Sequence, residues 1–237
     1  MTGLPLDSTK VHVWTASLDA VGGSLPDLCA ELVPDERTRA ERLRTPQLRR
    51  RFIVARVLLR RLLTAYASVH SSALRIGTGS HGKPYLADAA DLRFNLSHAE
   101  DTAMYAIASG REVGIDVEAT RRDIDIAGVA RQAFSPRERA VLAALAPDAQ
   151  REAFFRIWTR KEAYVKARGE GLSYPTRSFT VSHDGDDNAL LADERDERAQ
   201  DRWRVSGLEA PPGFAAALAT EGRHRTISRF DVALLPH

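Results

Sequence analysis

A long amphipathic helix followed by alternating strands occurs in each half of this chain, and that order restricts the fold more than any other feature. In the first half, the segment RRRFIVARVLLRRLLTAYA, residues 49–67, places apolar side chains at helical spacing. The second half has a helical pattern in FRIWTRKEAYVK, residues 155–166. Each helix must bury its apolar side, so each half needs a sheet to cover it.

The strand pairs that follow the two helices resemble each other. RFNLSHAEDTAMYAIASG, residues 93–110, and RWRVSGLEAPPGFAAALATEG, residues 202–222, both show a strand, a turn and a strand of small apolar residues. The sequence therefore predicts an α+β fold with two similar lobes related by pseudo-twofold symmetry. We divide it into an N-terminal lobe, residues 1–112, and a C-terminal lobe, residues 113–237.

Charge is balanced over the whole chain but not locally. The 237 residues carry a formal net charge of +2, and 43% of them are hydrophobic, enough for a substantial core. Ten arginines lie between Arg37 and Arg61 against one acid, Glu41. This cluster is either a local anion-binding surface or a solvated helix face.

Several functional classes are excluded or disfavoured. The first residues lack the basic and apolar regions of a signal peptide, and no apolar run is long enough to span a membrane, so we expect a cytoplasmic protein. HExxH, CxxC and GxxxxGKS patterns do not occur, and neither does the GxSxG elbow of serine hydrolases. Ser97 and His98 are adjacent on a strand and point to opposite faces, which argues against a nucleophile and its base.

Asp116 and Glu118 lie two residues apart on a predicted strand, so their carboxylates project from the same face. Two like charges at this distance repel each other. A solvated strand edge would tolerate them, and a hard cation such as Mg²⁺ would bind them.

Glu162 lies on the second long helix, at the margin of the predicted core. Phe155, Thr159, Glu162 and Lys166 form one predicted stripe that faces water or a cleft. The neighbouring stripe, expected to be buried, contains Phe154, Ile157, Trp158 and Val165. Gly169 is the expected C-terminal cap of this helix.

Five motifs occur in order between residues 34 and 175: GKPY (82–85), FNLSH (94–98), VGIDVE (113–118), FSPRE (134–138) and WTRKEAYVKARGEGL (158–172). Together they resemble the 4'-phosphopantetheinyl transferase family, in the two-lobed branch typified by the surfactin synthetase activator and in its KEA form. The resemblance implies an active site at the interface between the lobes.

The resemblance implies an enzyme of the holo-[acyl-carrier-protein] synthase class. It would transfer the 4'-phosphopantetheine arm of coenzyme A to a serine of an apo acyl or peptidyl carrier protein and release adenosine 3',5'-bisphosphate. Asp116, Glu118 and Glu162 would bind Mg²⁺. Glu162, or a metal-bound water beside it, would accept the serine proton, and Lys166 would neutralise the phosphates.

The same resemblance implies that Lys83, Ser97, His98 and Lys166 bind coenzyme A. From the arginine cluster we choose Arg39 and Arg51, one of which would hold the 3'-phosphate with His98. Arg37, Arg44 and Arg56 are alternatives. Glu138 lies where the family often has a supporting acid, which would orient Lys166 or the helix.

Two other functions compete with this assignment. A metal-dependent phosphodiesterase or nuclease could use the acids and the arginines, but the near-neutral chain predicts no broad nucleic-acid surface. A non-catalytic carrier-binding module would have no use for mutually repelling carboxylates. We expect a monomer without a membrane partner, and the carrier could belong to fatty acid, polyketide or nonribosomal peptide biosynthesis.

Overall fold

The computed structural model describes residues 4–69, 73–185, 188–222 and 226–234. The first half contains β1 (Lys10–Ser17), α1 (Leu25–Ala30), α2 (Pro34–Glu41), α3 (Pro46–Ala67), β2 (Ile76–Thr78), β3 (Pro84–Leu86), β4 (Leu92–Ala99) and β5 (Thr102–Ser109). The second half contains β6 (Val113–Ala119), α4 (Ile126–Ala133), α5 (Pro136–Ala144), α6 (Pro147–Arg168), β7 (Phe179–Val181), β8 (Leu190–Asp193), α7 (Ala199–Arg202), β9 (Trp203–Leu208), β10 (Phe214–Glu221) and β11 (Thr226–Asp231).

The two main sheets repeat one topology, which confirms the α+β class and the similarity of the two halves. In the first sheet β5 lies between β1 and β4 and is antiparallel to both. In the second sheet β10 lies between β6 and β9 and is again antiparallel to both. The predicted hairpins at residues 93–110 and 202–222 correspond to β4–β5 and β9–β10.

The molecule has four layers. Helices α1–α3 cover one face of the first sheet, and α4–α6 cover one face of the second. The other faces of the two sheets pack on each other through small and branched side chains, including Val13 and Ala106 from the first sheet and Ile115 and Leu218 from the second. Because side chains alternate along a strand, β1, β5, β9 and β10 each contribute to two cores.

Both long helices begin and end where local chemistry favours it. Helix α3 begins with Pro46 at its first turn, and the side chain of Thr45 accepts a hydrogen bond from the Leu48 amide. Helix α6 ends at Gly169, whose φ of 73° is the left-handed conformation that glycine adopts without a steric penalty. The predicted C-terminal cap at Gly169 is therefore confirmed.

The last strand returns to the first sheet. β11 pairs in parallel with β1, from Lys10 opposite Thr226 to Thr15 opposite Asp231. The predicted division at residue 113 places β11 in the C-terminal lobe. In the structure this strand extends the sheet of the N-terminal lobe. Because this pairing joins the two ends of the chain, a cut at residue 113 would leave β1 without one of its neighbours.

Throughout the described ranges, every helix is too short or too polar to cross a membrane.

Candidate active site

Strand β6 lies unusually close to helix α6, and Gly114 makes this possible. A Cβ atom built on Gly114 would lie 2.2 Å from the carbonyl oxygen of Ala163 and 2.3 Å from the amide nitrogen of Ala167. Both are backbone atoms of α6, so any larger residue would push the strand and the helix apart. The close approach brings Asp116, two residues further along β6, against the face of α6 that carries Glu162 and Lys166.

Asp116 is the centre of a buried hydrogen-bond cluster. Its Oδ1 accepts hydrogen bonds from Lys166 Nζ at 2.6 Å and from Ser97 Oγ at 2.9 Å. Lys166 Nζ also donates to Ser97 Oγ at 3.0 Å and to the carbonyl oxygen of Ile115 at 3.3 Å. Ser97 is on β4, Asp116 on β6 and Lys166 on α6, so the cluster connects both halves of the chain.

The second oxygen of Asp116 is available for a further ligand. Asp116 is 3% exposed, and its Oδ2 has no hydrogen-bond partner among the residues that the structure describes. Burial raises the pKa of Asp116, although the charge and hydrogen bond of Lys166 oppose this shift. A buried carboxylate oxygen without a partner costs free energy, and a divalent cation would remove that cost.

Glu118 and Glu162 lie beside Asp116. Glu118 Oε1 accepts a hydrogen bond from Trp158 Nε1 at 3.2 Å, and burial followed by the charge of Asp116 raises its pKa. Glu162 is half-buried, and burial followed by the charge of Asp116 raises its pKa to about 7. Lys166 lowers the pKa of Glu162 and Glu118 raises it further. The three carboxylates therefore influence one another electrostatically.

The three carboxylates are neighbours but not a finished metal cage. Within the described ranges, no three His, Cys, Asp or Glu side chains already form a group that could hold a metal ion. Lys166 pairs with Asp116 Oδ1, so a cation at this place would share Asp116 with an ammonium group. The donor set of carboxylate oxygens together with the unpartnered Oδ2 nevertheless suits Mg²⁺, which retains several waters and needs few protein ligands.

The predicted stripe on α6 needs a correction. Phe155 and Thr159 are both 1% exposed and belong to the interior, because α4–α6 pack closely on the second sheet. The side chains that share the partly exposed face of α6 are Trp158, Glu162 and Lys166, at i, i+4 and i+8. Sequence reasoning missed Trp158 as a site residue, although its spacing from Glu162 was a usable signal.

His98 lies on the other face of β4, toward the arginine-rich segment. Partial loss of hydration and then the positive charges of Lys166 and Arg39 lower the pKa of His98, although the residue as a whole is exposed. Arg39 packs over the ring of Phe52, with its guanidinium carbon 5.4 Å from the ring centre. The charge of Arg39 therefore acts on the imidazole of His98.

The other two predicted cations have partners of their own. Arg51 makes a two-bond ion pair with Asp19, at 2.8 and 2.5 Å. Lys83 donates to Glu112 at 2.6 Å and to the carbonyl oxygen of Ala167 at 2.7 Å, so it caps the end of α6. The structure therefore pairs Arg51 and Lys83 with acids other than Asp116, Glu118 and Glu162.

Lys83 nevertheless lies on the wall of a groove beside the site. The groove has a volume of about 220 Å³ and is lined by the GKP turn, by Asn95 and Lys166, and by the glycines after α6. Lys166 is one of its lining residues, so the groove reaches a member of the Asp116 cluster.

Glu138 does not contact Lys166, and its cation is Lys161. Lys161 Nζ donates to both Glu138 oxygens at 2.8 Å and to the carbonyl oxygen of Phe179 at 2.7 Å. Glu138 also accepts from the amides of Ser135 and Val181, each at 2.7 Å. Of the two roles that the sequence left open for Glu138, the structure supports orientation of the helix.

Chemically, the site combines carboxylates suited to a divalent cation, an ammonium group beside them and an adjacent groove. Such an arrangement stabilises negative charge on a phosphoryl group that undergoes displacement.

Comparison with known proteins gives the same family. The model described as "4'-phosphopantetheinyl transferase superfamily" matches residues 112–219, and the one described as "4'-phosphopantetheinyl transferase, N-terminal" matches residues 23–110. The transferase HetI of Nostoc sp. is 40% identical over 173 residues, which cover 72% of this chain and 73% of that protein. The transferase Sfp of Bacillus subtilis is 30% identical over 187 residues, which cover 78% of this chain and 80% of that protein. The transferase AcpT of Salmonella typhimurium is 39% identical over 147 residues, which cover 62% and 68%. The chain therefore belongs to the 4'-phosphopantetheinyl transferase superfamily, and it is an enzyme of that class.

Proposed function

We propose that this enzyme transfers the 4'-phosphopantetheine arm of coenzyme A to a serine hydroxyl of an apo acyl or peptidyl carrier protein. The other product is adenosine 3',5'-bisphosphate. The observation that carries the proposal is the convergence of Asp116, Glu118, Glu162 and Lys166 between β6 and α6, with one Asp116 oxygen unpartnered among the described residues. The shared name of the relatives, 4'-phosphopantetheinyl transferase, supports the group that is transferred.

The carboxylates would hold the cation that the reaction requires. We assign Asp116, Glu118 and Glu162 as the ligands of Mg²⁺, because their oxygens are its preferred donors and their mutual repulsion needs a positive charge. When bound, Mg²⁺ supplies electrophilic stabilisation of the diphosphate whose bond breaks.

The remaining steps use groups of the chain itself. Lys166 holds its ammonium group where the carboxylates converge, so it neutralises charge that develops on the phosphate oxygens of coenzyme A. Glu162, or a metal-bound water beside it, would accept the proton from the carrier serine, because Glu162 is a half-buried carboxylate one helical turn from Lys166 on the partly exposed face of α6. Trp158 fixes the orientation of Glu118 through its indole hydrogen bond.

Coenzyme A would lie along the groove and across β4. Lys83 and Ser97 would contact the phosphates or the arm, since Lys83 lines the groove and Ser97 bonds to both Asp116 and Lys166. His98 and Arg39 would hold the 3'-phosphate, because the charge of Arg39 acts on the imidazole of His98. We keep Arg51 as a second contact, which would require it to share its guanidinium between Asp19 and the ligand.

The test is direct. Purified protein is incubated with coenzyme A, Mg²⁺ and a panel of apo carriers from fatty acid, polyketide and peptide synthesis, and each carrier is weighed by mass spectrometry. We expect a mass gain of one phosphopantetheine arm on at least one carrier, and loss of that gain with EDTA. Asp116→Ala and Glu162→Ala should each lower the rate about 10²-fold or more. No gain on any carrier would refute the function, and wild-type rates in both variants would remove these residues from the site.

Two finer properties are part of the proposal. We propose that the enzyme acts in the cytoplasm and as a monomer. The argument for a monomer is that the repeated topology lets both halves of the site come from one chain. Sedimentation of the purified protein at micromolar concentration tests the monomer, and a stable dimer would refute it.

A further inference from the structure

The two main sheets meet near the site through strands that lie at their edges. In the described chain β4 is an end strand of the first sheet, and β6 is an end strand of the second. An end strand leaves every other backbone N–H and C=O without a strand partner. At Ile115 of β6 both groups are satisfied by side chains. Asn95 Oδ1 of β4 accepts from the Ile115 amide at 2.9 Å, and Lys166 Nζ of α6 donates to the Ile115 carbonyl at 3.3 Å.

This contact joins defined residues of β6 to defined residues of β4. Asn95 and Ser97 are two residues apart on β4, so both side chains lie on its face toward β6. Asn95 bonds to the backbone of Ile115, and Ser97 bonds to the side chain of the next residue, Asp116. A shift of β6 by one residue would break both bonds and turn Asp116 away from α6.

Asn95 is almost fully buried, and it lies beside the proposed active site. It is 6% exposed, so removing its carbonyl would leave the Ile115 amide buried without a partner. The same side chain lines the groove that contains Lys83 and Lys166. A contact that served stability alone could lie at any point where the sheets meet. The bond from Asn95 instead goes to Ile115, the residue immediately before Asp116.

We propose that Asn95 is a positioning residue of this enzyme: by accepting the Ile115 N–H it holds β6 in the register that presents Asp116 to Lys166 and to the reacting diphosphate. This inference rests on the proposed transfer function. It assigns Asn95 no contact with the transferred group, so its effect reaches the reaction through Asp116.

The first measurement is structural and independent of activity. In amide hydrogen exchange followed by mass spectrometry, the peptide that contains Ile115 should exchange faster in Asn95→Ala than in the wild type. Asn95→Asp keeps an oxygen acceptor of the same length, in a groove that already contains two lysines, and should restore most of the protection. Unchanged exchange in Asn95→Ala would overturn the proposal.

The second measurement separates positioning from general stability. Asn188 is a matched control, because its Oδ1 accepts the amides of Leu190 in β8 at 3.3 Å and of Val205 in β9 at 3.1 Å. With a carrier that the wild type modifies, Asn95→Ala should lower kcat about tenfold or more with a smaller change in KM for coenzyme A. Asn188→Ala should retain the wild-type kcat at a temperature where both variants are folded.

The kinetic outcomes are all decisive. A raised KM for coenzyme A with unchanged kcat in Asn95→Ala would mean that Asn95 only lines the groove, and equal kcat losses in Asn95→Ala and Asn188→Ala would mean a purely structural role. Either result overturns the proposal while the transfer function stands. A wild-type enzyme that modifies no carrier refutes the transfer function, and the exchange experiment still decides whether Asn95 holds the register of β6.

Discussion

Replacing Gly114 with alanine adds one methyl group at the closest contact between β6 and α6. The new Cβ would lie 2.2 Å from the Ala163 carbonyl oxygen, 2.3 Å from the Ala167 amide nitrogen and 2.9 Å from the Ala167 Cα. All three are backbone atoms, so no side chain can rotate away. The strand and the helix must therefore separate.

The size of that separation follows from the contact distances. Carbon makes favourable contacts with other heavy atoms at about 3.5 Å, so β6 must move by roughly 1 Å relative to α6. Overpacking of this kind costs about 1–3 kcal/mol of folding free energy. The activation barrier should rise by a comparable amount, because Asp116 Oδ1 and Lys166 Nζ are 2.6 Å apart across the same contact and a 1 Å misplacement can reduce a rate about 10²-fold, or about 2.7 kcal/mol.

The assay pairs urea unfolding with phosphopantetheinylation of a carrier protein. Gly22→Ala is the matched control, because a Cβ there meets no described atom within 4 Å. We expect Gly114→Ala to lose both stability and rate, and Gly22→Ala to lose neither. Wild-type rates in a folded Gly114→Ala enzyme would refute the argument that this close approach aligns Asp116 with α6.

Further predictions concern charges outside the reacting groups. Lys161→Met should lower the free energy of unfolding by about 3–5 kcal/mol, because it leaves the buried carboxylate of Glu138 without its cation. Both variants are measured by denaturant titration. Lys10→Met should change the free energy of unfolding by about 1 kcal/mol or less, since its ion pair is exposed, and equal losses in the two variants would contradict this distinction. Arg39→Ala should raise KM for coenzyme A more than for the dephospho form, and equal effects on both would show that Arg39 does not bind the 3'-phosphate. Burial lowers the pKa of His12 below its ordinary 6.5. As the pH falls, His12 is therefore protonated in the unfolded chain before it is protonated in the folded one, and the free energy of unfolding should decrease as pH drops through 6.5. That fall should be smaller in His12→Phe, as measured by urea unfolding at several pH values, and an unchanged fall would exclude His12 as its source.

The architecture could be predicted from sequence because its signals are local. The helical spacing in residues 49–67, the alternation in β1 and β6 and the two hairpins depend on near neighbours along the chain. The return of β11 to β1 could not be predicted in this way, since parallel pairing of distant segments leaves no pattern in either of them. The burial of Phe155 and Thr159 was missed for a related reason, because α6 is covered on more than one side.

The site shows the same limit. Asp116 and Glu118 could be identified as candidates because two carboxylates on one face of a strand repel each other and suit a cation, whereas the family resemblance added Glu162. Their support could not be identified, since Gly114, Asn95 and Trp158 act on residues far away in sequence. The partners of Arg51 and Lys83 also depend on the fold, because any of the acids could have neutralised them.

Lys161 and Glu162 show why the site and the core of the second half are not separable. Adjacent residues on a helix point about 100° apart, so a bond that fixes one also fixes the direction of the other. Lys161 is 1% exposed, with its ammonium group bonded to Glu138 and 4.2 Å from the centre of the Phe179 ring. Rotation of α6 that moved Glu162 away from Asp116 would pull this ammonium group out of its pocket. Removing one partner of a buried ion pair is costly, but the intact pair adds little stability over apolar residues of similar size. The role of the Lys161–Glu138 pair is therefore to fix α6 in one orientation about its axis.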